Sequence, residues 1–498
     1  MEMKNIVKTI LLSALPLFFV ACDLNLSPIS DFSEANRIDS TGNSVKFKNR
    51  DEMLAAYNYM YNIMTKNEGV EGWTADMLVY SDTHADNAYR GATDVELTQL
   101  EQQKQDGINK NINRDWDYYF ALVGAANNVI CNIDSVPDKT FTLAERKQWK
   151  SEALIMRAMI YFDMVRLWGD VPIVTIQPPA ITNANIEQVY HLYYPPRDSV
   201  AKVYRQMISD LNTALETGGA PAIDNANKFK FSRTVANALL AKIYAEKPLR
   251  DYDKVIVYST AVEKDVSLVA NYGDLFDMND AKTDVKYRNT SESVFEINFK
   301  GGGLWYTWLV GLDQSDPSSK YDWAKWCTPS RDLIAAFDKA KDVVRKAETI
   351  INADVTWSNE YPSKGYPFMY KYRSKFHSVI KIRLADILLL KAEAYVGKND
   401  AASATALVNQ IRTRAKLANL TNVTIDDVLN ERRLELAFEG QRWFDLVRND
   451  KAISVMNTLN SRDSGRLPMD LVTPDRLLMP IPQPQIDKNP SMGQNIGY

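Results

Sequence analysis

The chain has 498 residues, with 59 Lys and Arg against 63 Asp and Glu, three His, three Cys and a formal net charge of −4. With 45% hydrophobic and 24% charged residues it can bury a sizeable core, which excludes disorder and collagen-like structure. The near-balanced charge argues against a dedicated nucleic-acid binder, which needs a concentrated basic surface. Only 20 Gly and 20 Pro favour helices over many short strands.

Residues 1–21 read as a signal peptide. Lys4 and Lys8 precede an apolar run from Ile10 to Val20, too short to span a bilayer. Small residues lead directly into Cys22, and the segment resembles a bacterial lipoprotein signal in which that cysteine becomes the acylated N-terminus. Each buried acyl CH₂ contributes about 0.8 kcal/mol, so several chains hold a soluble domain at a membrane. Residues 22–50 follow as a polar, lipidated tether leading into the fold.

Helical periodicity then dominates. Arg114 to Asp134 places Trp116, Tyr119, Val123 and Ile130 on one face, and Ser151 to Trp168 places Leu154, Ala158, Tyr161, Val165 and Trp168 on another. Gly169-Asp170 stops that helix, and Val171-Pro172-Ile173 leads away extended. Asp198 to Glu216 is a further helix. Thr234 to Val262 reads as a helix pair turning at Pro248 to Tyr252, and Arg383 to Ala415 as a second pair turning at Gly397 to Asp400; both resemble tetratricopeptide units. Irregular inserts separate these parts at 69–111, 177–197, 272–330 and 350–378, and inserts of that size are usually functional.

Enzymatic motifs are absent: there is no GxSxG, HExxH, GxxxxGK[ST] or GxGxxG, and Gly301-Gly302-Gly303 lacks a following Lys. Glu431, Glu435 and Glu439 at spacing four, beside Arg432 and Arg433, read as structural ion pairs. His84 reads as a solvated loop residue, and Cys131 and Cys327 as buried free thiols. Aromatic residues carry the functional signal. Trp305, Tyr306, Trp308, Tyr321, Trp323 and Trp326 fall in one polar, irregular stretch, and Trp73, Tyr80, Asp82, Asp86, Asn87, Tyr89 and Arg90 form a second candidate patch. Aromatic planes that stack on sugar C–H faces, with polar side chains to hold hydroxyls, are what a carbohydrate surface needs.

Longer motifs resemble the SusD/RagB family of Bacteroidetes outer-membrane nutrient-binding lipoproteins. They include the mature start Cys22-Asp-Leu-Asn-Leu-Ser-Pro28, Trp116-Asp-Tyr-Tyr-Phe, Glu152-Ala-Leu-Ile-Met-Arg157, Trp168-Gly-Asp-Val-Pro172, Ser291-Glu-Ser-Val-Phe-Glu-Ile297 and Arg383-Leu-Ala-Asp386. The most specific runs from Glu431 to Arg448, and the end from Pro480-Ile-Pro482 to Gly497-Tyr498 is similar to the family's close. The resemblance implies a mainly α, SusD-like fold of tetratricopeptide-like helix pairs whose long irregular inserts form the ligand face. It implies one compact unit with an N-terminal region over 51–270 and a C-terminal region over 271–498. It also implies no enzymatic activity, a cell-surface position on the outer membrane and a SusC-like TonB-dependent transporter as partner. By position it points to Trp73–Arg90 and the segment after Ile297 for ligand contacts. No cofactor is implied, and a structural calcium ion is compatible with the inserts without being indicated by them.

The leading expectation is therefore capture of a glycan for the transporter. A RagB-like receptor for peptides or another non-glycan nutrient, a lipid-anchored glycosidase and a helical scaffold for a protein ligand remain as alternatives, because fold does not dictate function.

Overall fold

The computed structural model describes residues 46–66, 70–91, 93–299, 301, 313–321 and 326–498. The architecture is mainly helical. Helix α1 (Arg50–Asn62) is capped by Asn49, whose side chain accepts from the Glu52 amide. Helix α2 (Lys110–Asn132) is capped in the same way by Asn109, and α3 (Leu143–Trp168) starts at a Thr142/Glu145 capping box. Gly169 ends α3 at φ +73, a conformation that a side chain resists.

Helix α3 departs from the one-sided pattern read in the sequence. Nearly every residue from Ser151 to Trp168 is buried, because α1, α2, α4 (Val200–Glu216) and the C-terminal segment all pack around it. Arg157 and Asp210 join α3 to α4 through two hydrogen bonds of 2.8 and 2.6 Å. The chain then forms the two expected pairs, α5 (Arg233–Ala245) with α6 (Tyr252–Glu263), and α8 (Leu384–Gly397) with α9 (Ala401–Arg414), separated by α7 (Arg331–Ala340). The pairs stack through α6 and α8. A Cβ on Gly397 would lie 2.0 Å from the Tyr252 ring, so only glycine lets the two helices meet there.

Helices α10 (Ile425–Glu435) and α11 (Arg442–Arg448) complete the scaffold. Among the described residues six short strands form three two-stranded antiparallel pairs. They are β1 (Ala88–Tyr89) with β3 (Thr328–Pro329), β2 (Ser293–Ile297) with β6 (Val379–Arg383), and β4 (Ile350–Ala353) with β5 (Tyr366–Met369).

The acidic triplet is structural, as the spacing implied, though Glu439 lies past the end of α10. Arg383 binds Glu292, Glu435 and Glu439 at 2.5–2.7 Å. Arg345 binds Asp342, Glu431 and Glu435 at 2.5–3.0 Å. Arg432 and Arg448 share Asp445 at 2.8 Å. Such buried networks contribute little net stability but lose much when one partner is removed. Among the described residues no helix is long and apolar enough to cross a membrane, and no group of three or more His, Cys, Asp or Glu could hold a metal ion.

Two sequence expectations are corrected. Cys131 is exposed rather than buried, with Sγ 3.5 Å from the Thr175 carbonyl, while Cys327 is buried; both are free thiols. His84 is buried rather than solvated: Nδ1 lies 2.8 Å from the Leu100 carbonyl and the ring meets Trp443 edge-on at 4.4 Å. Burial lowers its pKa to about 4, so the ring is neutral.

Candidate ligand-binding face

Residues 72–89 are buried and held by the Glu431–Arg448 segment, not presented to solvent. Asp82 Oδ1 accepts from Asn87 Nδ2 at 2.8 Å and from the Phe438 amide at 2.9 Å. That second bond fixes a turn in which Phe438 stands at φ +62 and Gly440 at φ +74. Asp86 receives both ends of the Arg442 guanidinium at 2.7 and 2.9 Å, with Arg433 and Arg462 at 3.3 Å. Burial would raise the Asp86 pKa; the three arginines overcome it and hold the carboxyl well below the usual carboxylate range.

The aromatic members of this patch are equally committed. Trp73 is fully buried, donates Nε1–H to Asp163 at 2.9 Å and lies beneath Lys381 Nζ, 4.7 Å from the ring centroid. Tyr89 is buried, donates to Asp463 at 2.6 Å and accepts from the Arg331 amide at 3.0 Å. Trp73, Asp82, Asp86 and Tyr89 are thus buried rather than presented to solvent, and each is bonded within the protein, Asp82 through Oδ1. Arg90 differs. It is half-buried, at the edge, and pairs with Glu360 at 3.1 Å and Glu101 at 3.5 Å.

Arg90 and Glu360 border a different aromatic group. Tyr321 stacks on Phe368, with centroids 4.3 Å apart. Trp357 meets Tyr366 edge-on at 4.8 Å, and Tyr361 meets Tyr366 at 5.6 Å. Strands β4 and β5 position these rings, and the pairing of β1 with β3 brings Tyr89 to within 6.0 Å of Tyr361. Tyr366 and Phe368 form the buried floor, while Tyr321, Trp357 and Tyr361 are half-buried above it. Polar groups surround the rings. Arg331 covers Tyr361 at 4.1 Å and donates Nη2–H to the Glu360 carbonyl at 2.6 Å; Gln314 Nε2 donates to the Tyr370 hydroxyl at 2.6 Å. Burial pushes the Tyr321 and Tyr366 phenols up to about 12, so both are neutral donors at physiological pH.

Of the other candidates, Trp326 is half-buried against the core, its carbonyl accepting from Thr83 Oγ1 at 2.9 Å. Trp305, Tyr306, Trp308 and Trp323 lie outside the described residues, as do Gly302, Gly303 and Cys22. Trp357, Tyr361, Tyr366 and Phe368 were missed by sequence reasoning. The signal was there: Trp357, Tyr361, Tyr366, Phe368, Tyr370 and Tyr372 crowd one insert as densely as the run at 305–326. What this face can do chemically is stack and donate hydrogen bonds. A cavity lined by Met77, Phe162, Asp163, Arg166, Lys242 and Lys381 measures about 40 Å³, room for water but not for a sugar ring.

Comparison with known proteins agrees with this architecture. Residues 344–498 match the SusD family, and residues 31–245 match a family described as starch-binding associating with outer membrane. A SusD-like protein of Formosa agariphila is 26% identical over 468 residues, 82% of this chain and 86% of the relative. Surface glycan-binding protein A of Bacteroides thetaiotaomicron, solved in complex with laminarihexaose, superposes with a TM-score of 0.73 at 19% identity, covering 90% of this chain and 99% of that one. A SusD superfamily protein of Bacteroides vulgatus gives a TM-score of 0.71 at 19% identity over 90% and 99% of the two chains. With the Glu431–Arg448 segment inside the C-terminal match and a second family description matching the N-terminal part, this chain belongs to the SusD/RagB family.

Proposed function

We propose that the chain is a glycan-binding lipoprotein of the outer-membrane surface, acylated at Cys22, that captures oligosaccharide or polysaccharide and delivers it to a SusC-like TonB-dependent transporter. The observation that carries this reading is the aromatic face: Tyr321, Trp357 and Tyr361, half-buried on a floor of Tyr366 and Phe368. Half-exposed rings flanked by Arg90, Glu360 and Gln314 suit sugar C–H faces and hydroxyls together. The laminarihexaose complex of a structural relative and the starch-binding description of a matching family support it. The function is binding without chemistry, so the protein is not an enzyme. Tethering beside a transporter raises effective concentration, so modest affinity suffices.

Trp305, Tyr306, Trp308 and Trp323 belong to the same proposal as further stacking residues. The test is affinity electrophoresis of the lipid-free mature chain through a panel of polysaccharides, laminarin included. Retardation by one glycan class that is lost in Trp357→Ala with Tyr321→Ala supports the reading. No retardation, with binding to a peptide library instead, would replace it by a RagB-like peptide receptor.

A further inference from the structure

The insert at 171–196 departs from the rest of the surface. In a chain with 24% charged residues, these 26 positions contain one formal charge, Glu187. Large apolar side chains meet solvent along it, beside the exposed polar Thr182, Asn183, Gln188 and His191: Ile176, Ile181, Ile186 and Tyr190 are each 42–49% exposed. The helix Ile186–Tyr193 buries only Val189, so its other apolar side chains are not part of the core. Tyr190 and Tyr194 lie side by side with centroids 4.7 Å apart. Polar bonds hold the two ends of the insert rather than its exposed side: Asn127 Nδ2 donates to the Val174 carbonyl at 2.8 Å, and Arg197 Nε to the Met492 carbonyl at 2.6 Å.

The second observation is where the chain comes from. The described structure begins at Lys46, whose Nζ donates to Gln177 Oε1 at 3.3 Å and to Asn128. The segment that leads back to Cys22 therefore joins the fold at the insert itself. A lipid on Cys22 would be joined to the described fold beside this insert. Isoleucines and tyrosines with a single formal charge, Glu187, are the composition of a surface that sits at the boundary of headgroups and acyl chains.

We propose that residues 176–194 form a lipid-contacting surface, with Ile181, Ile186 and Tyr190 seated in the headgroup region of the membrane that holds the anchor. This rests on the acylation of Cys22 in the function proposed above. The contact fixes the orientation of the molecule, which an acyl tether alone leaves free.

The experiment uses the full lipidated chain in phosphatidylethanolamine–phosphatidylglycerol vesicles, in a Cys131→Ser background; Cys327 is buried and stays unlabelled. A nitroxide is placed at Ile186→Cys, at Tyr190→Cys as a second probe, and at Val257→Cys, an exposed position on α6. Paramagnetic resonance then compares collisions with oxygen and with a water-soluble nickel chelate. The expected result is oxygen access above nickel access at 186 and 190 and the reverse at 257. Equal water access at all three positions overturns the proposal. Labels at 186 and 190 immobilised and shielded from both reagents also overturn it, assigning the surface to a protein partner. A chain that fails to float with the vesicles refutes the lipid anchor and removes the basis of the proposal, an outcome separate from the other two.

Discussion

Asp86 and Arg442 face each other through two hydrogen bonds of 2.7 and 2.9 Å across 356 positions of sequence, both buried. The pair holds the 70–91 insert to the start of α11. Through β1, that insert also sets β3 and the edge of the aromatic face. Asp86→Ala strips Arg442 of its carboxylate and leaves Arg433 and Arg462 with Asp332 as their carboxylate partner. The expected loss is about 3–5 kcal/mol, read from the urea midpoint, because a buried charge stripped of its partner cannot recover its hydration. The pH dependence has a definite sign. The folded pKa is depressed, so this stability is present above the ordinary carboxylate pKa and is lost as pH falls below it.

Asp82 has the opposite sign. Burial pushes it up to about 6, against the opposing hydrogen bonds from Asn87 and the Phe438 amide. The folded state therefore holds this proton more tightly than the unfolded chain does, and ionisation costs stability as pH rises from about 4 to above 6. Asp82→Asn keeps an acceptor for both donors and removes the charge. Its stability should match the parent at pH 4 and exceed it at pH 7 by on the order of 3 kcal/mol. Equal stabilities at both pH values would show that the carboxylate is not confined as the structure has it.

These two carboxylates mark where sequence reading ends. The helix pairs were legible because their information is local: apolar spacing and the turns at Pro248 to Tyr252 and Gly397 to Asp400. The Glu431–Arg448 motif was legible as scaffold because charges at spacing four pair more often than they react. A ligand patch and a buried polar clamp, however, are both written with aromatic, Asp, Asn and Arg residues. What separates Trp73 and Asp86 from a sugar platform is Asp163, Lys381 and Arg442, which lie 90 to 356 positions away. Phe368 adds a contact that spacing does not show, since Tyr321 stacks on it from another insert.

Close approach gives a third test. A Cβ on Gly219 would lie 2.3 Å from the Lys147 carbonyl oxygen and 2.4 Å from Ser151 Oγ. The first contact is backbone on the central helix α3, which cannot turn aside as a flexible side chain would. Gly219→Ala should cost about 1–3 kcal/mol, the range for forcing extra atoms into a packed contact. Thermal unfolding monitored by circular dichroism checks it, with Gly218→Ala beside it as a control for φ alone, since Gly218 has φ +67 and nothing within 4 Å of its Cβ.

Two tryptophans separate scaffold from site. Trp73 fills the core, bonds Asp163 through its indole and carries Lys381 on its face, so Trp73→Ala leaves a cavity and removes one donor from Asp163, which keeps Arg166 and Lys381. The expected cost is about 3–5 kcal/mol. Folded Trp73→Phe, which keeps most of the ring, should retain glycan as the parent does. Trp357 is half-buried and meets its neighbours by ring edges, and among the described residues no hydrogen bond ties a distant element to it. Trp357→Ala should therefore move the melting temperature little, and should weaken glycan retention because a stacking plane is removed from the face. Stability measured by denaturation and retention measured by affinity electrophoresis must dissociate in opposite directions for the two positions. If Trp357→Ala unfolds the protein, or Trp73→Phe abolishes retention in a folded chain, the division between clamp and ligand face is wrong.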